Sequence, residues 1–380
     1  MAPIGSSMAS PVSAINELVE IAGEACQVED ATAEPNNVVF DPSKHLAFVP
    51  PSKVHTMVEL GYPNSRGVSP VGVSEPFPLF SAEAIEQMRK EVLTEEVYSN
   101  HKYSSEIAQC QLRGYAAECA PFVYDAWKNP ETLAIISKVA GVDLVPVMDF
   151  ELGHVNISGH SEEEKHNAPK KAEVLGKGIA VKPSDDDAIV DWHTDSYPFV
   201  CVTMLSDCTN MIGGETALRT GNGEIVKVRG PQKGSAVILQ GRYIEHKALR
   251  ALGATERITM VTSFRPRASS IKDDTVLTTV RPISNLNELY HQFTEYRFEL
   301  LSERLRDVNR LMRDQQRARR TFDTRAAKNF IREQINFLEH MDKEIVEDEK
   351  VIKGVFDDSH LISEDLKREH SRKRALADVE

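Results

Sequence analysis

Residues 189–200 read Ile189-Val190-Asp191-Trp192-His193-Thr194-Asp195-Ser196-Tyr197-Pro198-Phe199-Val200, and the apolar character continues to Leu205. In extended chain, residues two apart project from the same side. That spacing places the imidazole of His193 and the carboxylate of Asp195 together, with Thr194 facing away. About fifty residues later stands His246, after a strand-like run Ser235–Leu239, and eleven positions beyond it Arg257. Two imidazoles and one carboxylate form the facial ligand set of non-haem iron centres, and no thiolate is present to favour zinc.

Around this unit, the sequence from Leu144 to about Arg267 is punctuated by turns. Extended segments are expected at Leu144–Ile157, Ile189–Trp192, Val200–Leu205, Glu215–Leu218, Ile225–Val228, Ser235–Leu239 and Arg257–Phe264. Gly213-Gly214, Gly221-Asn222-Gly223 and Gly230-Pro231 separate several of them. Many short strands with glycine-rich turns indicate a sandwich or barrel, in an α+β chain with a mainly β core. Ser161–Asp187 is polar and charged and reads as a surface insertion, a candidate lid.

Helices flank the β region. Ser81 caps a helix with Ile85, Met88 and Val92 at helical spacing. Asn129 caps a second, with Pro130 at its first position, Leu133, Ile136 and Val139 as its apolar stripe, and Gly141 as its stop. After Ser284, Leu289, Phe293, Tyr296, Leu300 and their successors to Met312 sustain a long helix. Ile331, Ile335, Leu338, Met341 and Ile345 mark another, together a C-terminal helical hairpin. The expected organisation is therefore a partly disordered arm (1–70), a helical support region (71–142), the β core (143–270), a helical extension (285–353) and a charged tail (354–380).

Two other His-x-acid triplets, His160-Ser161-Glu162 and His340-Met341-Asp342, lack this setting. The first falls in the charged insertion, and the second in a helix, where residues two apart diverge. The 45 basic and 58 acidic residues give a net charge of −13, which argues against general nucleic-acid binding. No long apolar run suggests a membrane span. Five scattered cysteines (Cys26, Cys110, Cys119, Cys201, Cys208) and no visible secretory signal make a reducing, cytoplasmic location the expectation.

The succession His193-Thr194-Asp195, Gly213-Gly214-Glu215-Thr216, Lys233-Gly234-Ser235-Ala236-Val237, His246 and Arg257 resembles the iron(II)/2-oxoglutarate-dependent dioxygenase superfamily, in particular its prolyl-4-hydroxylase-like branch. The resemblance covers residues 140–267, with weaker helical support from about 76. It implies a double-stranded β-helix (jelly-roll), with His193, Asp195 and His246 as iron ligands. It also implies Fe(2+), 2-oxoglutarate and O2 as cofactor and co-substrates, with succinate and CO2 as co-products. Prolyl hydroxylases of this layout usually grip the far carboxylate of the keto acid with lysine. Here the position is Arg257, and Arg257-Ile258-Thr259 is similar to the arginine form used by other branches, so Arg257 and Thr259 are the expected 2-oxoglutarate residues.

Several neighbours are weaker candidates: Tyr197, Thr203, Arg242, Tyr243, His154 and Asn156 for the cavity, and Arg265 and Arg267 as rival anchors. Trp192 is expected in the core. The expected substrate is a small organic molecule, of the kind made in secondary metabolism, and the C-terminal helices are an expected route to a homo-oligomer. A protein side chain as substrate, a catalytically silent jelly-roll serving as an interaction protein, and a zinc enzyme on a related β fold are the alternatives.

Overall fold

A computed structural model describes residues 38–105, 108, 110–159, 188–209, 211–228, 232–249, 251–252 and 256–356. The candidate lid at 161–187, the His160 triplet and the tail beyond 356 lie outside the described residues. Eight strands make the centre: β1 (His154–Gly159), β2 (Ala188–His193), β3 (Phe199–Met204), β4 (Thr216–Arg219), β5 (Ile225–Val228), β6 (Ser235–Leu239), β7 (His246–Leu249) and β8 (Glu256–Pro266). They divide between two antiparallel sheets. One runs in the order β6-β3-β8-β1 and the other β5-β4-β7-β2. Apart from the β4-β5 hairpin, each successive strand lies in the opposite sheet.

The larger sheet grows to ten strands. Val54–Thr56 and Val71–Ser74 extend it beyond β6, while Cys110–Leu112 and Lys102–Tyr103 extend it beyond β1. The chain from residue 38 is thus built into the fold: Met57 and Leu60 are buried between the sheets with Val200, Leu218 and Leu239. Leu144–Ile157 is not one strand. Leu144–Pro146 pairs with the end of β8, a 3-10 turn follows at Asp149–Glu151, and Gly153 turns the chain into β1 at φ +66°. A side chain at 153 would collide with Val123 and the Tyr115 hydroxyl, so glycine suits this turn twice over.

Alternation along the strands separates two apolar layers. Cys201, Ile238, Ile258, Met260 and Phe264 face outward onto helices α1 (Ala82–Val92), α2 (Pro121–Lys128) and α3 (Pro130–Ala140). Ile85, Met88, Trp127 and Ile136 are their counterparts, and the Trp127 indole donates to Met260 Sδ at 3.2 Å. Val200, Val202, Val237, Leu239 and Val261, of opposite parity, meet Leu218 from the smaller sheet. Ser81 and Asn129 cap α1 and α3, accepting from Ala84 N–H and Glu131 N–H, and Gly141 ends α3 at φ +69°. Each cap contributes on the order of 1 kcal/mol.

Two further helices, α4 (Leu286–Arg317) and α5 (Thr324–Glu344), cover one end of the sheets. Leu289, Phe293, Tyr296, Leu300, Phe337 and Met341 pack with Val147, Phe150, Leu277 and Tyr197, so these helices press on the chain just beyond Asp195. Buried Arg297 lies over the Phe337 ring at 3.7 Å and pairs with Asp273. The distal arginines of α4 are exposed, whereas Arg304 reaches back to the Ser269 carbonyl. Among the described residues no helix is long and apolar enough to cross a membrane, and none of the four described cysteines forms a disulfide.

Candidate metal centre

His193 is the last residue of β2 and His246 the first of β7, and the two are register partners. Their rings lie 4.4 Å apart at 51°. Asp195 lies beyond the end of β2, so strand alternation is not what holds it. Its N–H donates to the Gly241 carbonyl at 3.0 Å, which ties the His-x-Asp segment to the loop entering β7. Asp195 Oδ1 is 3.6 Å from Nε2 of each histidine, and ligand atoms of all three residues fall within 4.8 Å of one another.

The protonation states suit a cation. The Ile244 carbonyl can only accept, so His246 Nδ1–H donates to it at 2.9 Å and Nε2 keeps its lone pair. Burial holds the His246 pKa below the ordinary imidazole value, and His193 adds to this against the opposing pull of Asp195. For Asp195, burial acts to raise the pKa. His246, His193 and Arg242 outweigh it and hold the carboxyl below its usual value. Asp195 Oδ2 is buried with no hydrogen-bond partner, and it occupies the space a β-carbon on Gly241 would fill. An ionised carboxylate with an unanswered buried oxygen, beside a neutral imidazole, fits a divalent metal.

Arg257 and Thr259 share the parity of Val261 and therefore face the space between the sheets. Thr259 is opposite Met204 on one side and Asn156 on the other, and Arg257 opposite Ser158. Arg257 Nε is sealed from solvent without a hydrogen-bond partner, and no carboxylate pairs with the guanidinium among the described residues. Its rivals are occupied elsewhere. Arg265 lies over the Tyr296 ring at 5.0 Å, and exposed Arg267 pairs with Asp143 at 2.9 Å.

The other candidates separate cleanly. Thr203 is opposite Met260 and so faces the helices rather than the cavity. Trp192 is not in the core but half-buried, stacked by Arg219 at 4.6 Å and Lys247 at 5.0 Å. His340 sits in α5 with Arg297 and Glu344 and takes no part in the triad. His154 and Asn156 do face inward, beside a network the sequence reading missed. Gln111 donates to Asn156 Oδ1 at 3.2 Å, and Arg113 donates to His154 Nδ1 at 3.0 Å and pairs with buried Glu151. Tyr197 donates to the same Glu151 carboxylate at 2.8 Å. The alternation Gln111-x-Arg113 was the available signal, but nothing in sequence tied it to residues some forty positions away.

No family model matches the chain, and no curated protein does. Among solved structures it is similar to an oxidoreductase of the 2OG-Fe(II) oxygenase family from Burkholderia pseudomallei. The two are 12% identical over 57% of this chain and 93% of that one, with a TM-score of 0.36. It is also similar to the non-haem alpha-ketoglutarate-dependent epimerase of nogalamycin biosynthesis (14% identity, 56% and 83% coverage, TM-score 0.36). A Pseudomonas putida prolyl-4-hydroxylase is a third (16% identity, 58% and 99% coverage, TM-score 0.28). All three are described as oxygenases, epimerases or hydroxylases, two of them naming the keto acid or iron.

Proposed function

We propose that this chain is an iron(II)- and 2-oxoglutarate-dependent oxygenase on a double-stranded β-helix. The strand order supports the fold, because the chain alternates between sheets ordered β6-β3-β8-β1 and β5-β4-β7-β2. The observation that carries the activity is the pairing of two unsatisfied features in one molecule. A His193–Asp195–His246 cluster has a buried carboxylate oxygen without a partner, and an inward-facing arginine on β8 lacks a counter-ion among the described residues.

In this reading His193, Asp195 and His246 hold the iron. Arg257 receives the far carboxylate of 2-oxoglutarate, because its planar fork matches a carboxylate in two parallel hydrogen bonds. Thr259 stands two residues along β8 on the same face. When bound, metal and keto acid supply the oxidising power: O2 and 2-oxoglutarate are consumed, succinate and CO2 released, and one oxygen atom goes to an organic substrate R–H to give R–OH. The chain's own contribution is to keep His246 neutral through the Ile244 carbonyl, to seat Asp195 over Gly241, and to exclude water with the Val200, Val202 and Val261 layer.

Anaerobic addition of iron(II) and then 2-oxoglutarate tests this. The expected result is a visible iron-to-keto-acid absorption band, lost in H193A, and succinate release on admitting oxygen. A protein that takes up iron but gives no band with 2-oxoglutarate, while folded, overturns it.

A further inference from the structure

Three buried arginines of this protein are neutralised. Arg113 pairs with Glu151, Arg281 with Glu344 at 3.0 Å, and Arg297 with Asp273 at 3.6 Å. Half-buried Arg242 and exposed Arg66 are different. Among the described residues neither has a carboxylate within 4.0 Å, although acidic residues outnumber basic ones in the chain. Both line one cavity of about 500 Å³, together with Thr194, Tyr243, Asp274 and His340. Among the described lining residues the one carboxylate, Asp274, is held by Lys272 at 3.0 Å.

The cavity adjoins the triad along the chain. Thr194 lies between His193 and Asp195, and Arg242 follows the glycine that seats the Asp195 carboxylate. Both guanidinia are held from behind through Nε. Arg242 Nε donates to the Asp274 carbonyl at 2.9 Å, and its Nη1 approaches Thr194 Oγ1 at 3.4 Å. Arg66 Nε donates to the Tyr243 carbonyl at 2.7 Å, with its guanidinium stacked over Tyr62 at 4.6 Å. Each arginine is thus oriented at low entropic cost, and neither is neutralised.

We infer that this cavity is the substrate site, and that the substrate is a small organic anion whose carboxylate or phosphate is gripped by Arg66 and Arg242 beside the metal. The inference rests on the oxygenase reading for the word substrate, but the anion site stands on its own geometry. A volume of about 500 Å³ is enough for a small molecule. Fixed guanidinia discriminate, because a neutral analogue would leave half-buried Arg242 unanswered.

The test uses the full-length protein and matched probes: phenylacetate against phenylacetamide, and phenyl phosphate against phenol, with binding followed by ligand-observed NMR. Tighter binding of at least one anion than of its neutral partner, by about tenfold or more, is expected in the wild type. R66Q and R242Q should each lose that preference. R66Q removes a surface-rooted side chain, so it guards against misfolding in R242Q. Equal binding of anion and neutral partner, or a preference that survives both variants, overturns the inference. Iron uptake and the 2-oxoglutarate absorption band are recorded on the same samples. Their absence would sink the oxygenase reading while leaving the anion site intact, and the converse result would do the opposite.

Discussion

Asp195 and Gly241 compete for one space: Oδ2 of the aspartate occupies the volume that a β-carbon on residue 241 would need, while their backbones are joined by a 3.0 Å hydrogen bond. Gly241→Ala should therefore push the carboxylate off its seat with little effect on the surrounding apolar layers. Metal affinity is expected to fall by roughly 10- to 100-fold, the range seen when a ligand's support is disturbed. Isothermal titration with iron(II) or a substitute divalent ion, beside a thermal melt, separates the two effects. Unchanged affinity would show that Asp195 is not a ligand.

Removing a ligand outright should be harsher. His246→Ala and Asp195→Ala should each abolish stoichiometric iron binding, measured by metal analysis after desalting. His340→Ala, changing a histidine outside the triad but in a similar short pattern, should retain it.

Arg257 stores an unfavourable interaction in the unliganded protein, since its Nε is buried without a partner. Arg257→Met should remove the 2-oxoglutarate absorption band. It should also leave folding stability unchanged or raise it by about 1 kcal/mol, because the desolvated polar group is gone. A large loss of stability would mean that the arginine holds the fold rather than a ligand.

The Arg113–Glu151 pair behaves in the opposite sense. Both side chains are 1% exposed, and Glu151 also accepts from Tyr197. Glu151→Ala strands a buried guanidinium and should cost about 3–5 kcal/mol, read as a lower urea midpoint at constant slope.

Acid should weaken the fold through His154. Burial, reinforced by the adjacent Arg113, holds its pKa well below the ordinary 6.5. The unfolded chain then takes up a proton first as pH falls. The stabilisation is complete above about 6.5 and is lost progressively toward the lower folded value. Urea midpoints at pH 7.5 and 5.5 should differ in the wild type and converge in His154→Gln. His246 has the same sign and accounts for part of the remaining slope.

Residues whose role depends on neighbours in sequence were legible beforehand. Ser81, Asn129 and Gly141 stop and start helices through local hydrogen bonds and backbone angles, and the bounds of Ile225–Val228 and Ser235–Leu239 follow from turns beside them. The triad was legible because its chemistry restricts the residue types. What escaped was set by distance along the chain. Asp195 is placed by Gly241 rather than by its own strand, Trp192 finds its cations on β4 and β7, and Glu151 is matched to an arginine across the sheet. Short strands such as Val54–Thr56 and His246–Leu249 were missed because three or four residues show little alternation, and sheet pairing alone defines them.

Four strands, two from each sheet, separate β2 from β7, so the contact between His193 and His246 closes a loop of about fifty residues. Such closures are slow, because chain entropy is spent long before the contact repays it. A chain emerging from the ribosome has no seat for a metal until Ile244 and His246 have been made and β7 has docked. A seat for a metal therefore exists only once β2 and β7 have paired.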